Sequence, residues 1–197
     1  MISSIGHLVM KQLLLSSIAV CLASTAMAAE PQDSMIAYVN DNVRQFFMTG
    51  PVQSAVRFSG AKHADLGDAD IAALDQRWRL EIGQADQPTV SEVAENELSH
   101  SLQSMVEDSG GIITEIIVMD NRGLNVAVSS VTSDFWQGDE AKYQQTYLVG
   151  PDAVHVSDVD LDESSQTYQA QVSFVIVDKM SGSPIGAVTV GVNAEAF

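Results

Sequence analysis

The hydrophobic period changes at Gly110-Gly111, and that change limits the possible folds more than any other feature of the chain. Before it, apolar residues recur at helical spacing; after it, they alternate or run together as in strands. Met35 to Met48 carries Ile36, Val39, Val43, Phe46 and Phe47 on one helical stripe and is stopped by Gly50-Pro51. A short helical piece follows over Val52 to Phe58, then a clearer one over Asp70 to Ile82, with Ile71, Leu74, Trp78 and Ile82 on one side. Asp75–Arg79 and Arg77–Glu81 are spaced for i,i+4 pairs on the rest of that surface. A third helix follows Pro88, with Thr89 and Glu92 in a capping-box pattern and a stripe of Ala94, Leu98, Leu102, Met105 and Val106.

Beyond Gly111 five strands are predicted: Ile112 to Met119, Leu124 to Ser130, Ala153 to Asp158, Thr167 to Val177 and Ile185 to Asn193. The first two are joined by Asp120-Asn121-Arg122-Gly123, in which Gly123 takes positive φ, and the last two by a turn around Ser181-Gly182. Helices followed by strands with mostly short hairpins predict an α+β domain built on one antiparallel sheet. The run Phe174 to Val177 is apolar at both parities, which predicts a sheet centre covered on both faces.

The first 28 residues have the parts of a secretory signal peptide: Lys11, an apolar stretch from Leu13 to Leu22, and the small-residue site Ala26-Met27-Ala28. Cleavage there predicts a mature chain that starts at Ala29 in the periplasm and forms a single domain over residues 29–197. No later apolar run is long enough to cross a bilayer, so stable membrane insertion after cleavage is not expected. The one cysteine, Cys21, leaves with the leader, so the domain must be held by its core alone. All 26 acidic residues follow Ala28 while eight of the nine basic ones do, giving the mature chain a net charge of −18. Such a surface repels nucleic acid and anionic lipid, and neither is expected as a partner. An anionic ligand would need its few cations placed deliberately.

Signatures of catalysis are missing. The sequence has no G-x-S-x-G elbow, no Walker loop and no zinc-ligand spacing among His63, His100 and His155, which read as scattered surface or boundary residues. Asp158 to Glu163 has the alternating carboxylates of a calcium loop, but Glu163 stands where glycine is required and Gln169 where a bidentate glutamate is required. A solvated acidic hairpin is the better reading. Gly186 and Gly191 inside the last strand point to close backbone approach. The chain is read as a non-enzyme without cofactor or metal.

One connection stands out. Ser130 to Gln144 and Tyr147 place Phe135, Trp136, Tyr143 and Tyr147 among Asp134, Gln137, Asp139, Lys142 and Gln144 between two strands. Long connections on a rigid sheet tend to carry binding residues, and small-ligand pockets pair aromatic walls with a few placed polar groups. The same composition also fits a short helix whose aromatics cap the sheet.

Four segments together carry a resemblance: LDQRWRLE (Leu74 to Glu81), IIVMDNRGLNVA (Ile116 to Ala127), SVTSDFWQGDEAK (Ser130 to Lys142) and VDKMSGSPIGAVTVGVN (Val177 to Asn193). In this order, over most of the mature chain, they resemble the extracytoplasmic Cache sensor domains, the PDC-type relatives of PAS. The resemblance implies a PAS-like five-stranded antiparallel sheet with a long N-terminal helix behind it. It further implies a small carboxylate or amino acid bound between the sheet and the segment in front. By position, Ser130, Asp134, Trp136, Gln137, Asp139, Lys142 and Tyr143 fall on that front segment, and Trp78 and Arg79 on the helical layer before it. Gln171 and Ser173 share one face of a central strand as a floor, and Asp178 falls on the hairpin turn as a structural residue.

Such sensors usually lie between two transmembrane helices. This sequence runs only to Phe197, just after the last strand. The expectation is therefore a domain with no output module of its own, free or docking in trans on a membrane-bound sensor or chemoreceptor. Two readings remain: a small-molecule sensor domain, or a ligand-free regulatory protein of the envelope with the same fold. A cavity against Trp136 favours the first, and side chains filling that space favour the second.

Overall fold

The computed structural model describes residues 31–162 and 167–197; the predicted leader and its cleavage site lie outside the described residues. The stripe expected over Met35 to Met48 is present, but the helix bends at Val43 into α1 (Pro31–Asn42) and α2 (Arg44–Phe47). Met35, Val39, Val43 and Phe47, four apart, are all buried, so the apolar face runs on through the bend. The next helix, α3 (Gly50–Lys62), is longer than the piece expected over Val52 to Phe58 and carries Pro51 in its first turn, where the missing N–H costs nothing.

Helix α4 (Asp68–Glu81) buries Ile71 and Trp78 as expected, whereas Ile82 lies past its end and is exposed. The helix expected after Pro88 is two: α5 (Pro88–Ala94) and α6 (Glu97–Asp108). The break serves the sheet. Asn96 Oδ1 accepts from Ser99 N at 2.9 Å, and its Nδ2 donates to the carbonyls of Val93 and Val126, each at 2.9 Å. Ser99 Oγ donates to Val93 O and accepts from Val128 N at 2.9 Å, so the interruption pairs the helices with an edge strand. The predicted Thr89–Glu92 box does not cap α5. Glu81, reaching from α4, takes Thr89 N at 2.6 Å, Thr89 Oγ1 at 2.8 Å and Val90 N at 3.2 Å. Its carboxylate is thereby spent, and the expected pair with Arg77 does not form, while Arg79–Asp75 does at 2.8 Å. A distant carboxylate wins because it satisfies two orphan amides of the first turn at once.

The strands are β1 (Ile113–Asp120), β2 (Asn125–Val128), β3 (Val154–Val156), β4 (Asp160–Asp162), β5 (Thr167–Val177) and β6 (Pro184–Asn193), with a short helix α7 (Ala141–Gln144) between β2 and β3. Every described pairing is antiparallel, in the order β2-β1-β6-β5-β3, and β4 pairs β5 beside β3. The predicted α+β architecture is present. The acidic segment is the departure: Asp160–Asp162 forms a strand, with Leu161 opposite Tyr168. Carboxylates alternating with an apolar residue are themselves a strand pattern, and an edge strand carrying charge resists pairing with other chains.

Both faces of the sheet are covered. Behind it, Phe47, Val56, Leu102, Ile116, Val118, Phe174 and Val190 join α1–α3 and α6 to the strands. In front, Trp78, Ile117, Met119, Leu124, Phe135 and Tyr143 form a second core beneath α4, α5 and the β2–β3 connection. A Cβ at Gly186 would overlap the carbonyl of Met119 and the side chain of Val56, the close approach expected of that glycine. Among the described residues no helix is long and apolar enough to cross a membrane.

Candidate ligand-binding site

The connection from Ser129 to Gly150 lies across the front of the sheet, held by side chains of α4 and β2. Asp75 of α4 accepts from the backbone N–H of Phe135 at 2.9 Å and of Trp136 at 3.1 Å. Arg79 bridges Asp75 and Asp134, each at 2.8 Å. These contacts hold its guanidinium even more firmly in the charged state than is usual, the hydrogen bond to Asp75 being the largest cause. Asn125 of β2 donates from Nδ2 to Thr132 Oγ1 and to Asp134 O, both at 2.9 Å. Trp78, fully buried, donates its indole N–H to Thr132 O at 2.8 Å and stacks on Phe135, ring centroids 5.4 Å apart.

The sequence-predicted residues divide into three groups. Trp78, Arg79, Asp134 and Trp136 fasten the segment: the Trp136 indole donates to Arg122 O at 2.9 Å and lies against Gly138, where a Cβ would collide with the ring. Ser130 and Asp139 are exposed at its margins. Gln137, Lys142 and Tyr143 turn inward. Lys142 Nζ is 3.0 Å from Gln137 Oε1 and 3.0 Å from Glu140 Oε2, and Gln137 Nε2 donates to Asp134 O at 2.9 Å. Tyr143 donates its hydroxyl to Asn121 O at 2.8 Å, and burial pushes the phenol's pKa well above its usual value.

Under α7 the sheet is polar. Ser173 and Thr189 are opposite one another on β5 and β6, in line with Ile117 of the front core, and their fully buried hydroxyls lie 2.9 Å apart. Along the same face Gln171 Nε2 donates to Glu115 Oε1 at 2.7 Å. Helix α7 packs on β3, β5 and β6, and Thr146, just past its end and fully buried, donates to Lys142 O at 2.5 Å. A lysine, a glutamine and three hydroxyls thus lie buried on the front side of the sheet. Asp178 accepts from Met180 N at 2.8 Å and Ser181 N at 2.9 Å and pairs with Arg57, the structural role expected of it.

Sequence reasoning missed a second polar cluster. His63, expected near the surface, is buried: its Nδ1 lies 2.7 Å from Asp120 Oδ2, to which Ser59 Oγ also donates at 2.9 Å. Asp120 Oδ1 takes the N–H groups of Arg122 and Leu124. The i,i+4 spacing of Ser59 and His63 on α3 was the available signal. A serine–histidine–aspartate relay needs the serine on the ring nitrogen opposite the aspartate. Here both side chains converge on one carboxylate oxygen, and the cluster anchors α3 to the β1–β2 turn. His100 is exposed, as expected.

Comparison with known proteins gives structural likeness alone. No family model matches the sequence, and no curated protein matches it. Among solved structures, the sensory domain of the Campylobacter jejuni chemoreceptor Tlp3 with isoleucine bound aligns over 84% of this chain and 59% of its own, at 17% identity and TM-score 0.41. The same receptor's ligand-binding domain with 4-methylisoleucine aligns at 17% identity and TM-score 0.40, over 84% of this chain and 58% of its own. The V. cholerae histidine kinase DctB sensor domain aligns over 84% and 58%, at 14% identity and TM-score 0.36. All are sensor domains. This chain spans under two thirds of the length of each.

Proposed function

We propose that this chain is a periplasmic sensor domain that binds a small carboxylate or amino acid between α7 and the sheet, with Lys142 as the carboxylate's partner. What carries the reading is an asymmetry: the Lys142 side chain is only 9% exposed, whereas its acidic partner Glu140 is 39% exposed. A buried ammonium must stay paired, but the pair's other half is free to swing into water. An incoming carboxylate replaces Glu140 without stranding the lysine, and the Ser173–Thr189 hydroxyls supply further polar contacts. In a domain this acidic, local cations are what reverse long-range repulsion of an anion.

The test is a thermal-shift panel of small carboxylates and amino acids, followed by calorimetry of the best hit on wild type and Lys142→Ala. Loss of one charge-assisted hydrogen bond costs roughly 1.5–3 kcal/mol, so affinity is expected to fall about ten- to a hundredfold while the fold survives. Unchanged affinity for an anionic ligand rules out Lys142 as its anchor.

The alternative is an interaction protein of the envelope, regulating a membrane-bound partner. It is favoured by the internal pairing of Gln137, Lys142 and Tyr143 and by the exposure of Leu148, Val149, Leu161 and Tyr168 beside the β3–β4 edge. A metabolite panel with no thermal shift at all transfers the proposal to that reading.

A further inference from the structure

At the β2 edge of the molecule, away from α7, a groove of about 1120 Å³ opens between α3, α4, α5 and α6. That is slightly more than the roughly 300–1,000 Å³ typical of small-molecule sites. Its walls are largely apolar, including Val52, Ala55, Leu74, Val93, Leu98 and Phe135. Three buried polar residues also line it: Ser59, His63 and Asn125.

His63 is buried, gives Nδ1 to Asp120, and its Nε2 has no hydrogen-bond partner among the described residues. In the neutral ring that nitrogen is an acceptor, and a donor reaching an unpaired buried acceptor recovers the cost of leaving it unmet. Asn125 Oδ1, also unpaired among the described residues, has almost no accessible surface and lies out of an occupant's reach.

The mouth decides the kind of occupant. Lys62 of α3 and Glu92 of α5, both lining the groove, form an ion pair between its two walls. A partner helix, about 10–12 Å across, does not fit beneath a tie between the walls, whereas a compact organic molecule does.

We infer that this groove is a second ligand site, for an apolar, ring-containing molecule that presents a hydroxyl donor to His63 Nε2. The walls remove its apolar body from water, and the hydroxyl supplies the donor that His63 Nε2 lacks. The site shares no residue with Lys142, Gln137 or the Ser173–Thr189 pair, so it stands or falls apart from the carboxylate site.

The probe is 1-hydroxypyrene, with pyrene as the same body lacking the donor, followed by fluorescence titration of the purified chain. Hydroxypyrene is expected to bind at one site per chain and pyrene at least about tenfold more weakly, the discrimination a site with a buried unpaired acceptor imposes. Ala55→Trp places an indole in the groove and is expected to abolish binding with the circular-dichroism spectrum unchanged. If that variant fails to fold, Ser101→Trp, at an exposed lining position of α6, is expected to do the same. Lys142→Ala is expected to leave hydroxypyrene affinity as it was. No binding of hydroxypyrene, equal affinity for pyrene, or full binding by the folded tryptophan variants overturns the inference.

Discussion

Neutralising Asp120 sets two physical effects against each other. The mature sequence carries a large net negative charge, so removing one carboxylate lessens long-range repulsion and, by that effect alone, stabilises the fold. Locally the carboxylate is fully buried and accepts four hydrogen bonds. Oδ1 takes Arg122 N at 2.8 Å and Leu124 N at 3.1 Å, and Oδ2 takes Ser59 Oγ at 2.9 Å and lies 2.7 Å from His63 Nδ1. In Asp120→Asn the oxygen can keep the two turn amides, Ser59 can rotate to accept, and His63 can change tautomer. What is lost is the extra strength of bonds to a charged acceptor, set against relief of a buried charge, a net cost of about 1–3 kcal/mol. In Asp120→Ala the buried amide of Leu124 and the Ser59 and His63 groups lose their acceptor, at roughly 1–3 kcal/mol for each left unsatisfied, so about 4 kcal/mol or more is expected. Urea unfolding followed by the fluorescence of Trp78 and Trp136 measures both. The order alanine, asparagine, wild type from least to most stable supports the reading. An asparagine variant at least as stable as wild type, or an alanine variant costing under about 1 kcal/mol, refutes it.

Asp178 accepts from the amides of Ser181 and Met180 and pairs with Arg57, which together hold its carboxyl below its usual pKa. Its stabilising effect is therefore present above the unfolded carboxylate value of about 3.9 and fades as pH falls through the lower folded one. The stability gap between wild type and Asp178→Asn should accordingly be full at pH 7 and close on acidification below about pH 4; a gap independent of pH contradicts this. Gly186→Ala forces a Cβ into Met119 O, a backbone atom that cannot step aside, and is expected to cost about 1–3 kcal/mol or more in urea unfolding. Protein recovered from the periplasm of an expressing cell is expected to begin at Ala29, and intact mass decides it; a product retaining Met1 contradicts the signal-peptide reading.

Much of the fold was legible because it rests on local rules. The change of period at Gly110-Gly111, the positive φ of Gly123, the turn around Ser181-Gly182 and the double-sided apolar run of β5 all follow from residues within a few positions of one another, and each appears where expected. The helix ends were less legible. Glu81 is seven residues before Pro88 and caps α5 across a turn, and Asn96 breaks a continuous apolar stripe because Val126, thirty positions on, offers its carbonyl. No local propensity encodes a partner that far away.

The candidate site divides the same way. That the Ser130–Tyr147 connection is unusual is written in its composition, but not which side chains it turns inward. The folded chain puts Trp136 and Arg79 to use as fasteners, leaves Ser130 and Asp139 in water, and buries Lys142 with Gln137 beside the sheet. His63, unremarkable in the sequence, becomes buried because Asp120, fifty-seven positions later, is brought to 2.7 Å. Sequence by itself determined what is set by periodicity, turn chemistry and overall charge, since these act between neighbours or through sums over the chain. Only the tertiary structure decided which polar groups meet and which stay unpaired, because a buried hydrogen bond depends on angstrom-scale approach between segments that the chain order keeps apart.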